Sequence, residues 1–237
     1  VDVAYAVTAG DHFRITRVQA AGCSEDLVPL ALRVMDVAPG TEFSSTRLED
    51  AALDLRLTQL FGQVELTTTP TAPRELALEA ALADARMREW TAAVGTWSDN
   101  PWMVKAGWTH RNLFKGGRGL RAGAVYATHN QRVGAEVFKL GWLSPRALTR
   151  LGGDWIREDE DAYLSNEYAA TLSQSFRPRG RGLWQLGVTL SNVDVVVHAP
   201  DATDLPQSQE WLLEFWVDRT WDGTDDLLYP TRGRVVR

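Results

Sequence analysis

Between Met87 and Trp221, apolar residues alternate with polar or small residues at a period of two, segment after segment. The clearest segment is Gly182–Ser191, whose faces carry Trp184, Leu186, Val188 and Leu190 on one side and Gln185, Gly187 and Thr189 on the other. Because successive side chains of a strand point to opposite faces, this alternation predicts β-strands with one apolar face. A water-soluble β-sandwich would alternate too, but it would bury the wide aromatic rings and expose the small polar residues.

The alternating segments predict about eight consecutive strands, several near the roughly 9 to 11 residues that cross a bilayer when tilted. They are Met87–Trp97, Pro101–His110, Leu120–Thr128, Arg132–Leu143, Ala147–Arg157, Leu164–Phe176, Leu183–Val195 and Gln209–Thr220. A ninth is predicted to begin near Arg234. We therefore predict an antiparallel up-and-down transmembrane β-barrel portion, although an eight-stranded barrel can also close by itself.

The connections between the predicted strands alternate in charge. Those after alternate strands are acidic or neutral, namely Ser98–Asn100, Thr128–Asn130, Glu158–Asp161 and Asp201–Asp204. The intervening connections are basic, namely Lys115–Arg121, Arg146–Arg150, Arg177–Arg181 and Arg232–Arg237. This sorting predicts two chemically distinct rims, one at each end of the meander. Ordinary solvation of loops is the alternative, since each connection taken singly is unremarkable.

Composition narrows the classes of function. The net charge of −6 argues against a nucleic-acid binder, and a single cysteine, Cys23, cannot form an intrachain disulfide. Four histidines without ligand spacing predict no metal site, and no cofactor is expected. No apolar stretch approaches the roughly 20 residues of a membrane helix, which leaves a barrel open because barrel strands show lipid only one face.

Residues 11–84 have a different pattern, which predicts a compact α+β module in the order β-α-α-β-β. The first strand ends at Gly22, and Ser24 is predicted to cap the first helix. The second helix starts at Ser44 or Ser45 and stops at Gly62. Two strands follow with their apolar positions on opposite faces, Gln63–Thr69 with Val64 and Leu66, and Glu75–Asp84 with Leu76, Leu78, Ala80 and Leu82.

Several motifs are similar to those of one family of outer-membrane proteins. The stretches Gly10–Ile15, Gly22, Pro39-Gly40, Phe43 and Gln59–Val64 resemble a POTRA domain. Arg111–Leu120 resembles the first periplasmic turn of the assembly proteins that include BamA and TamA, and Arg88–Asn112 resembles the start of the TamA barrel. A later turn of these barrels is similar to Asp218–Asp225 with Pro230–Gly233. The turn-motif residues are Arg111, Asn112, Gly117, Gly119, Asp218, Arg219, Pro230 and Gly233.

The resemblance implies a domain plan. Residues 1–9 would end an upstream segment, residues 10–84 would form an α+β POTRA domain in the periplasm, and residues 85–237 would form the amino-terminal half of a barrel in a bacterial outer membrane. The chain is then expected to be a fragment with about eight strands of sixteen. Glu158–Asp161 and Asp201–Asp204 would lie outside the cell, and Arg177–Arg181 in the periplasm.

The resemblance implies an assembly or translocation factor, not an enzyme. Its clients would be unfolded outer-membrane or secreted proteins, paired at a seam that opens beside the first barrel strand. The residues of that strand expected to bind the client are small, namely Thr91, Ala92, Ala93 and Gly95. The other expected partners are outer-membrane lipid and a periplasmic or inner-membrane protein that binds the POTRA domain. No nucleic-acid partner is expected. A strand such as Gln63–Thr69 or Phe13–Val18, where it lies at the sheet edge, could add an extended segment of a client or partner.

Alternatives from other classes remain open. A passive outer-membrane channel or a two-partner secretion pore would share the barrel, although a simple porin does not need the POTRA-like module. A patatin-like phospholipase domain before Val1 would make the chain the barrel portion of a fusion. Within the chain, a nominal Ser-His-carboxylate triad could combine His110 or His129 with Ser165, Ser173, Ser175 or Ser191, but nothing pairs these residues.

Overall fold

The computed structural model describes residues 12–96, 102–176, 182–197, 208–222 and 235–236. The chain divides into two compact units, Val1–Ala85 and Arg86–Arg237, which we call unit 1 and unit 2. Among the described residues, unit 1 contains helices and strands, whereas the regular elements of unit 2 are all strands. No helix in these ranges is both long enough and apolar enough to cross a membrane.

Unit 1 packs two helices against a four-stranded sheet. Its elements are β1 (Arg14–Ala21), α1 (Val28–Met35), β2 (Thr41–Glu42), α2 (Ser45–Leu57), β3 (Phe61–Ala72) and β4 (Glu75–Asp84). The sheet order is β2-β1-β4-β3, in which β1 and β4 are parallel and the other neighbours are antiparallel. Parallel pairing is possible because both helices lie between β1 and β4 in the chain and provide the crossover.

Local chemistry sets the limits of the two helices in unit 1. Pro29 lies in the first turn of α1, where its fixed φ suits a helix, and Asp36 ends the helix with a left-handed φ of 50°. Ser44 precedes α2 with extended backbone, and Gln59 beyond its end has a φ of 58°. The helices and the strands share one apolar core. From the helices and the residues beside them it contains Leu27, Leu30, Ala31, Val34, Met35, Ala51, Leu55 and Leu60, and from the strands β1 and β4 it contains Ile15, Leu76, Leu78, Ala80 and Leu82.

Two of the predicted helix limits are wrong. Ser24 does not cap α1, because its hydroxyl donates to the carboxylate of Asp84 and the helix begins only after Leu27. The partner that captures the hydroxyl lies 60 residues away in the sequence, so a local pattern could not reveal it. The second helix ends at Leu57, and Gly62 lies inside β3.

The predicted opposition of β3 and β4 faces is also wrong. Val64 lies directly opposite Leu82, and Leu66 lies directly opposite Ala80, in an antiparallel pair. Directly opposed residues of neighbouring strands point to the same side of a sheet. The apolar positions of β3 and β4 therefore line one face, which the helices cover.

Unit 2 is an antiparallel meander in which each strand pairs with its neighbours in the chain. Its strands are β5 (Arg88–Gly95), β6 (Met103–His110), β7 (Arg118–Ala127), β8 (Asn130–Leu140), β9 (Ala147–Asp159), β10 (Tyr163–Phe176), β11 (Gly182–Val197), β12 (Ser208–Asp222) and β13 (Val235–Val236). The predicted order and the strand limits are confirmed to within three residues. The strong period-two pattern explains this agreement, because it marks both the type and the extent of each strand.

The two faces of this sheet differ in chemistry. One row of opposed residues contains Ala92, Ala106, Ala124, Val133, Trp155, Tyr168, Asn192 and Trp211, and defines the outer face. The adjacent row contains Thr91, Gly107, Gly123, Gly134, Asp154, Ala169, Ser191 and Leu212, and defines the inner face. Large apolar side chains lie exposed on the outer face, among them Trp90, Val94, Val133, Leu172 and Phe215. The outer face is therefore the one that suits lipid.

Ion pairs bridge neighbouring strands on the inner face. Arg132 donates two hydrogen bonds to Oδ1 of Asp154, at 3.0 and 2.8 Å, and Arg121 pairs with Glu136 at 2.9 Å. Gly134, directly opposite Asp154, leaves room for that carboxylate, because a Cβ would overlap it. A face with such charges meets water or polar groups at lower cost than lipid.

Candidate functional site at the edge strand

The residues predicted to bind a client lie together on β5, the edge strand of the unit 2 sheet. They pair with β6 as Thr91–Gly107, Ala92–Ala106, Ala93–Lys105 and Gly95–Met103. On its other side, β5 has no strand partner among the described residues. One row of backbone N–H and C=O groups along β5 is therefore open to a further strand.

Small side chains border this open edge. Thr91, Ala93 and Gly95 point to the inner face and Ala92 points to the outer face, following the alternation of the strand. Cross-strand side-chain pairs contribute roughly 0.2–1 kcal/mol each, and more for aromatic or branched residues than for alanine. A strand that pairs beside these residues would therefore depend on backbone hydrogen bonds and gain little from side-chain packing.

The outer face of β5 is the most open apolar surface near this edge. Trp90 is 77% exposed and Val94 is 80% exposed. Trp90 retains one aromatic contact, with its ring centroid 6.0 Å from that of Trp108 on β6. Wide apolar groups at an open sheet edge are unfavourable in water, so this part of the strand suits lipid or a partner chain.

Arg111, the first residue of the turn motif after β6, fastens the start of β5. Its backbone N–H donates to the Met87 carbonyl at 2.8 Å, and its Nη1 donates to the Arg86 carbonyl at 2.9 Å. Its Nη2 donates to the carboxylate of Glu89. The Arg111 side chain is only 21% exposed, which reduces screening of this pair by water. Arg111 thus holds the beginning of the edge strand.

Asn112 and Gly117 shape the same turn. The side-chain oxygen of Asn112 accepts a hydrogen bond from the Gly117 N–H at 2.8 Å. Lys115, Gly116 and Gly117 have φ values of 59°, 60° and 73°, a region that glycine enters at little cost. Replacement of either glycine would therefore strain the turn that carries Arg111.

Gly119 makes room for an aromatic ring on the inner face. It lies directly opposite Phe138 on β8. A Cβ at Gly119 would overlap the Phe138 ring and would come within 2.6 Å of the His110 carbonyl oxygen. The four motif residues Arg111, Asn112, Gly117 and Gly119 therefore act together around one turn, beside the start of the edge strand.

The second motif lies elsewhere on the sheet. Asp218 and Arg219 belong to β12, at the other side of the strand order from β5. The guanidinium of Arg219 lies 4.8 Å from the ring centroid of Trp184 and 5.7 Å from that of Trp221. Pro230 and Gly233 lie outside the described residues. The structure does not bring Asp218 or Arg219 to the β5 edge.

Charge differs between the described turns at the two ends of the sheet. The turns 111–117 and 141–146 share one end and contain Lys115 and Arg146. The turn 160–162, at the opposite end, contains Glu160 and Asp161. Among the other predicted rim segments, Ser98–Asn100, Arg177–Arg181, Asp201–Asp204 and most of Arg232–Arg237 lie outside the described residues. The basic end is the one from which β5 begins.

Sequence reasoning missed Glu89 and Phe138. Glu89 lies opposite Thr109, two residues before Arg111, so the two charged side chains share a face on adjacent strands. This relation follows only from the register of β5 with β6. Phe138 covers Gly119 for the same kind of reason, since the β7–β8 register places them opposite each other. For Glu89, the available signal in the sequence was its charge, opposite to that of Arg111 at a diagonal position on the adjacent strand.

Hydrogen bonding is the chemistry that the β5 edge offers. In the part of the chain that the structure describes, no group of three or more His, Cys, Asp or Glu side chains could hold a metal ion. Among the titratable groups at the start of β5, Arg111 and Glu89 already form an ion pair. The row of backbone groups along β5 remains, and such a row can bind another strand.

Solved structures share this fold. The structure of BamA from Haemophilus ducreyi lacking POTRA domains 1-3 matches 96% of this chain, with 16% identity and a TM-score of 0.66. CdiB from Acinetobacter baumannii matches 88%, with 15% identity and a TM-score of 0.59. CdiB from Escherichia coli matches 89%, with 13% identity and a TM-score of 0.62.

This chain spans less than half the length of the solved structures it matches. It covers 48% of the BamA chain and 43% and 42% of the two CdiB chains. No protein-family model and no curated protein sequence matches it. The likeness is therefore one of fold.

Proposed function

We propose that this chain belongs to an outer-membrane protein of the BamA/TamA superfamily that assembles or secretes other proteins, and that a client pairs with β5. The observation that carries the proposal is the row of small side chains along β5, a strand that pairs with β6 on one side and is held at its start by Arg111. The fold shared with BamA and CdiB supports it. The exposed apolar outer face supports a location in a membrane.

Backbone pairing supplies the driving force in this proposal. An unsatisfied backbone N–H or C=O group in lipid costs several kcal/mol. When an unfolded client segment pairs with β5, the backbone groups of the client and those along the β5 edge are satisfied together, so neither strand bears this cost. The small side chains of Thr91, Ala92 and Ala93 impose little selection on the client sequence, so different clients can use the same edge.

Unit 1, in this proposal, is a POTRA domain in the periplasm. Two features support this assignment: the order of helices and strands, and a match to BamA that covers 96% of the chain and so extends into unit 1. β3 is an edge strand of the unit 1 sheet, so an extended segment of a client or a partner protein could add beside it. A spacer role for unit 1 is the alternative. The closer likeness to TamA remains a prediction from Arg88–Asn112.

A passive channel is the rival function. It would use the same sheet but would keep the β5 edge permanently paired. The assembly proposal includes no catalytic role for the chain. Its partners are unfolded clients and the lipid that meets the outer face.

A reversible cross-link across the β5 edge distinguishes these functions. In the complete natural protein with Cys23→Ser, a cysteine at Ala93 is paired with one on the strand that closes against β5. The disulfide should reduce client insertion into vesicles to the background rate, and a reductant should restore it. A disulfide joining cysteines at Ala106 and Ala124 is the matched control, because these residues are directly opposed on β6 and β7. That control should leave insertion unchanged.

Client insertion at the normal rate in the Ala93-linked protein would show that β5 need not open. Equal loss in the Ala106–Ala124 control would show that the cross-link acts on the whole sheet. Either result would contradict client pairing at β5, whereas a passive channel would insert no client even without a cross-link.

A further inference from the structure

Two cations face each other at the basic end of the outer face. Arg118, the first residue of β7, lies directly opposite Lys139 on β8, and both point to the same side as the apolar residues Leu120 and Val137. Like charges directly opposite each other in a sheet destabilise it. A negative charge beside the pair would therefore stabilise this part of the sheet.

Among the described residues of unit 2, the neighbouring strands do not supply that charge. Between Arg111 and Leu151 the sequence contains one carboxylate, Glu136. Glu136 points to the inner face, where it pairs with Arg121 at 2.9 Å. On the outer face, the next cross-strand neighbour of Lys139 is the uncharged Thr149. The described strands beside this pair thus place no carboxylate on the outer face to offset its positive charge.

Both cationic groups lean toward the turns and away from the apolar surface. Nε of Arg118 donates to the Lys115 carbonyl in the turn 111–117 at 3.0 Å. Nζ of Lys139 lies 5.7 Å from the ring centroid of Trp142, which is 58% exposed in the turn 141–146. At a membrane–water interface, long cationic side chains extend their charged groups toward the water in this way. Tryptophan side chains are also common at that interface.

We propose that Arg118, Lys139 and Trp142 bind the headgroup of an anionic glycerophospholipid, with its phosphate between the two cations. The inference rests on the proposed function, in which the outer face meets lipid. Guanidinium and ammonium groups form charge-assisted hydrogen bonds with phosphate oxygens. Leu120 and Val137, one outward position further along each strand, provide an apolar surface on which the acyl chains lie.

The combination of charge and apolar surface favours lipid over other anionic partners. A free phosphate ion would neutralise Arg118 and Lys139 but would leave Leu120, Val137 and Trp142 uncovered. An acidic soluble protein would leave the apolar residues further along β7 and β8 uncovered as well. A phospholipid satisfies the cations and the apolar surface with one molecule.

Lipid retention by the purified complete protein tests this site. Native mass spectrometry in detergent micelles, titrated with phosphatidylglycerol or phosphatidylcholine, measures the affinity of each variant. Arg118→Gln and Lys139→Gln should each weaken phosphatidylglycerol binding about fivefold, and the double variant more, since a cation near an anionic surface contributes about 1 kcal/mol. Lys105→Gln removes the same charge from the inner face, opposite Ala93, and should change nothing.

Four results would each overturn the inference. Unchanged affinity in the double variant would exclude the cation pair, and equal loss in Lys105→Gln would indicate net charge alone. Competition by millimolar inorganic phosphate, or binding only of an acidic protein, would assign the site to another anion. Failure of the proposed function is read separately, as a wild-type protein that retains lipid in micelles but does not insert clients into vesicles.

Discussion

Unit 1 and unit 2 bury opposite kinds of residue. Among the described residues, the buried apolar side chains all belong to unit 1 except Ala127 and Ala147, whereas the buried polar ones are Thr149, Ser173, Ser175 and Ser191 of unit 2. The exposed large apolar residues show the reverse distribution, since all but Leu53 and Leu57 belong to unit 2. The same chain therefore contains one unit organised for water and one organised for an apolar surrounding.

This difference changes what holds each unit together. Unit 1 gains stability by removing apolar surface from water, at roughly 25 cal/mol for each Å². Unit 2 leaves its largest apolar side chains uncovered and depends on the hydrogen-bond ladders of a continuous meander. Its outer face gains stability only when lipid replaces water.

Cavity formation in unit 1 should have the largest effect. Leu78 on the central strand β4 is 1% exposed, so Leu78→Ala should destabilise unit 1 by about 2–5 kcal/mol. Hydrogen exchange in the complete protein should then show lost protection in β4 and unchanged protection in β10 and β11. Glu79→Ala, at the exposed neighbouring position, is the matched control and should leave exchange unchanged. Equal loss of protection in both units would contradict their separate organisation.

A smaller loss of stability is expected when a glycine that makes room for an aromatic ring in unit 2 is replaced. Gly187 lies directly opposite Trp216, and a Cβ at Gly187 would come within 2.5 Å of the indole ring. Gly187→Ala should therefore cost about 1–3 kcal/mol in urea unfolding of the vesicle-inserted protein, and adding Trp216→Ala should remove most of that cost.

The control for this pair of substitutions at Gly187 and Trp216 is Gly123→Ala. Its Cβ would meet only the Ala106 carbonyl oxygen, at 3.5 Å, an ordinary contact distance. A cost at Gly123 equal to that at Gly187 would mean that glycine stabilises the sheet through the backbone and not by accommodating the ring of Trp216.

Sequence alone predicted unit 2 better than unit 1. In β10 the alternation of Tyr168, Ala170 and Leu172 with Ala169 and Thr171 marks the strand whatever surrounds it. In unit 1, the hydroxyl of Ser24 could have capped α1, but it donates to the carboxylate of Asp84 at the end of β4. Such competition is decided by tertiary packing, which a local pattern does not contain.

The candidate site was also predictable only in part. The small residues of β5 and the glycines of the following turn were visible as motifs, but the anchoring of β5 by Arg111 was not. That contact depends on Glu89 and the Arg86 carbonyl lying within reach across the β5–β6 pair. The outward pairing of Arg118 with Lys139 likewise follows from register and not from composition.

Solvent accessibility along β10 tests most directly the claim that the outer face of unit 2 meets lipid. Spin labels on single cysteines at each position from Tyr168 to Leu172, in the vesicle-inserted Cys23→Ser protein, report collisions with oxygen from lipid and with a nickel chelate from water. Positions 168, 170 and 172 should favour oxygen, and positions 169 and 171 should favour the chelate. Accessibility without this alternation, or with the two sets exchanged, would contradict the account.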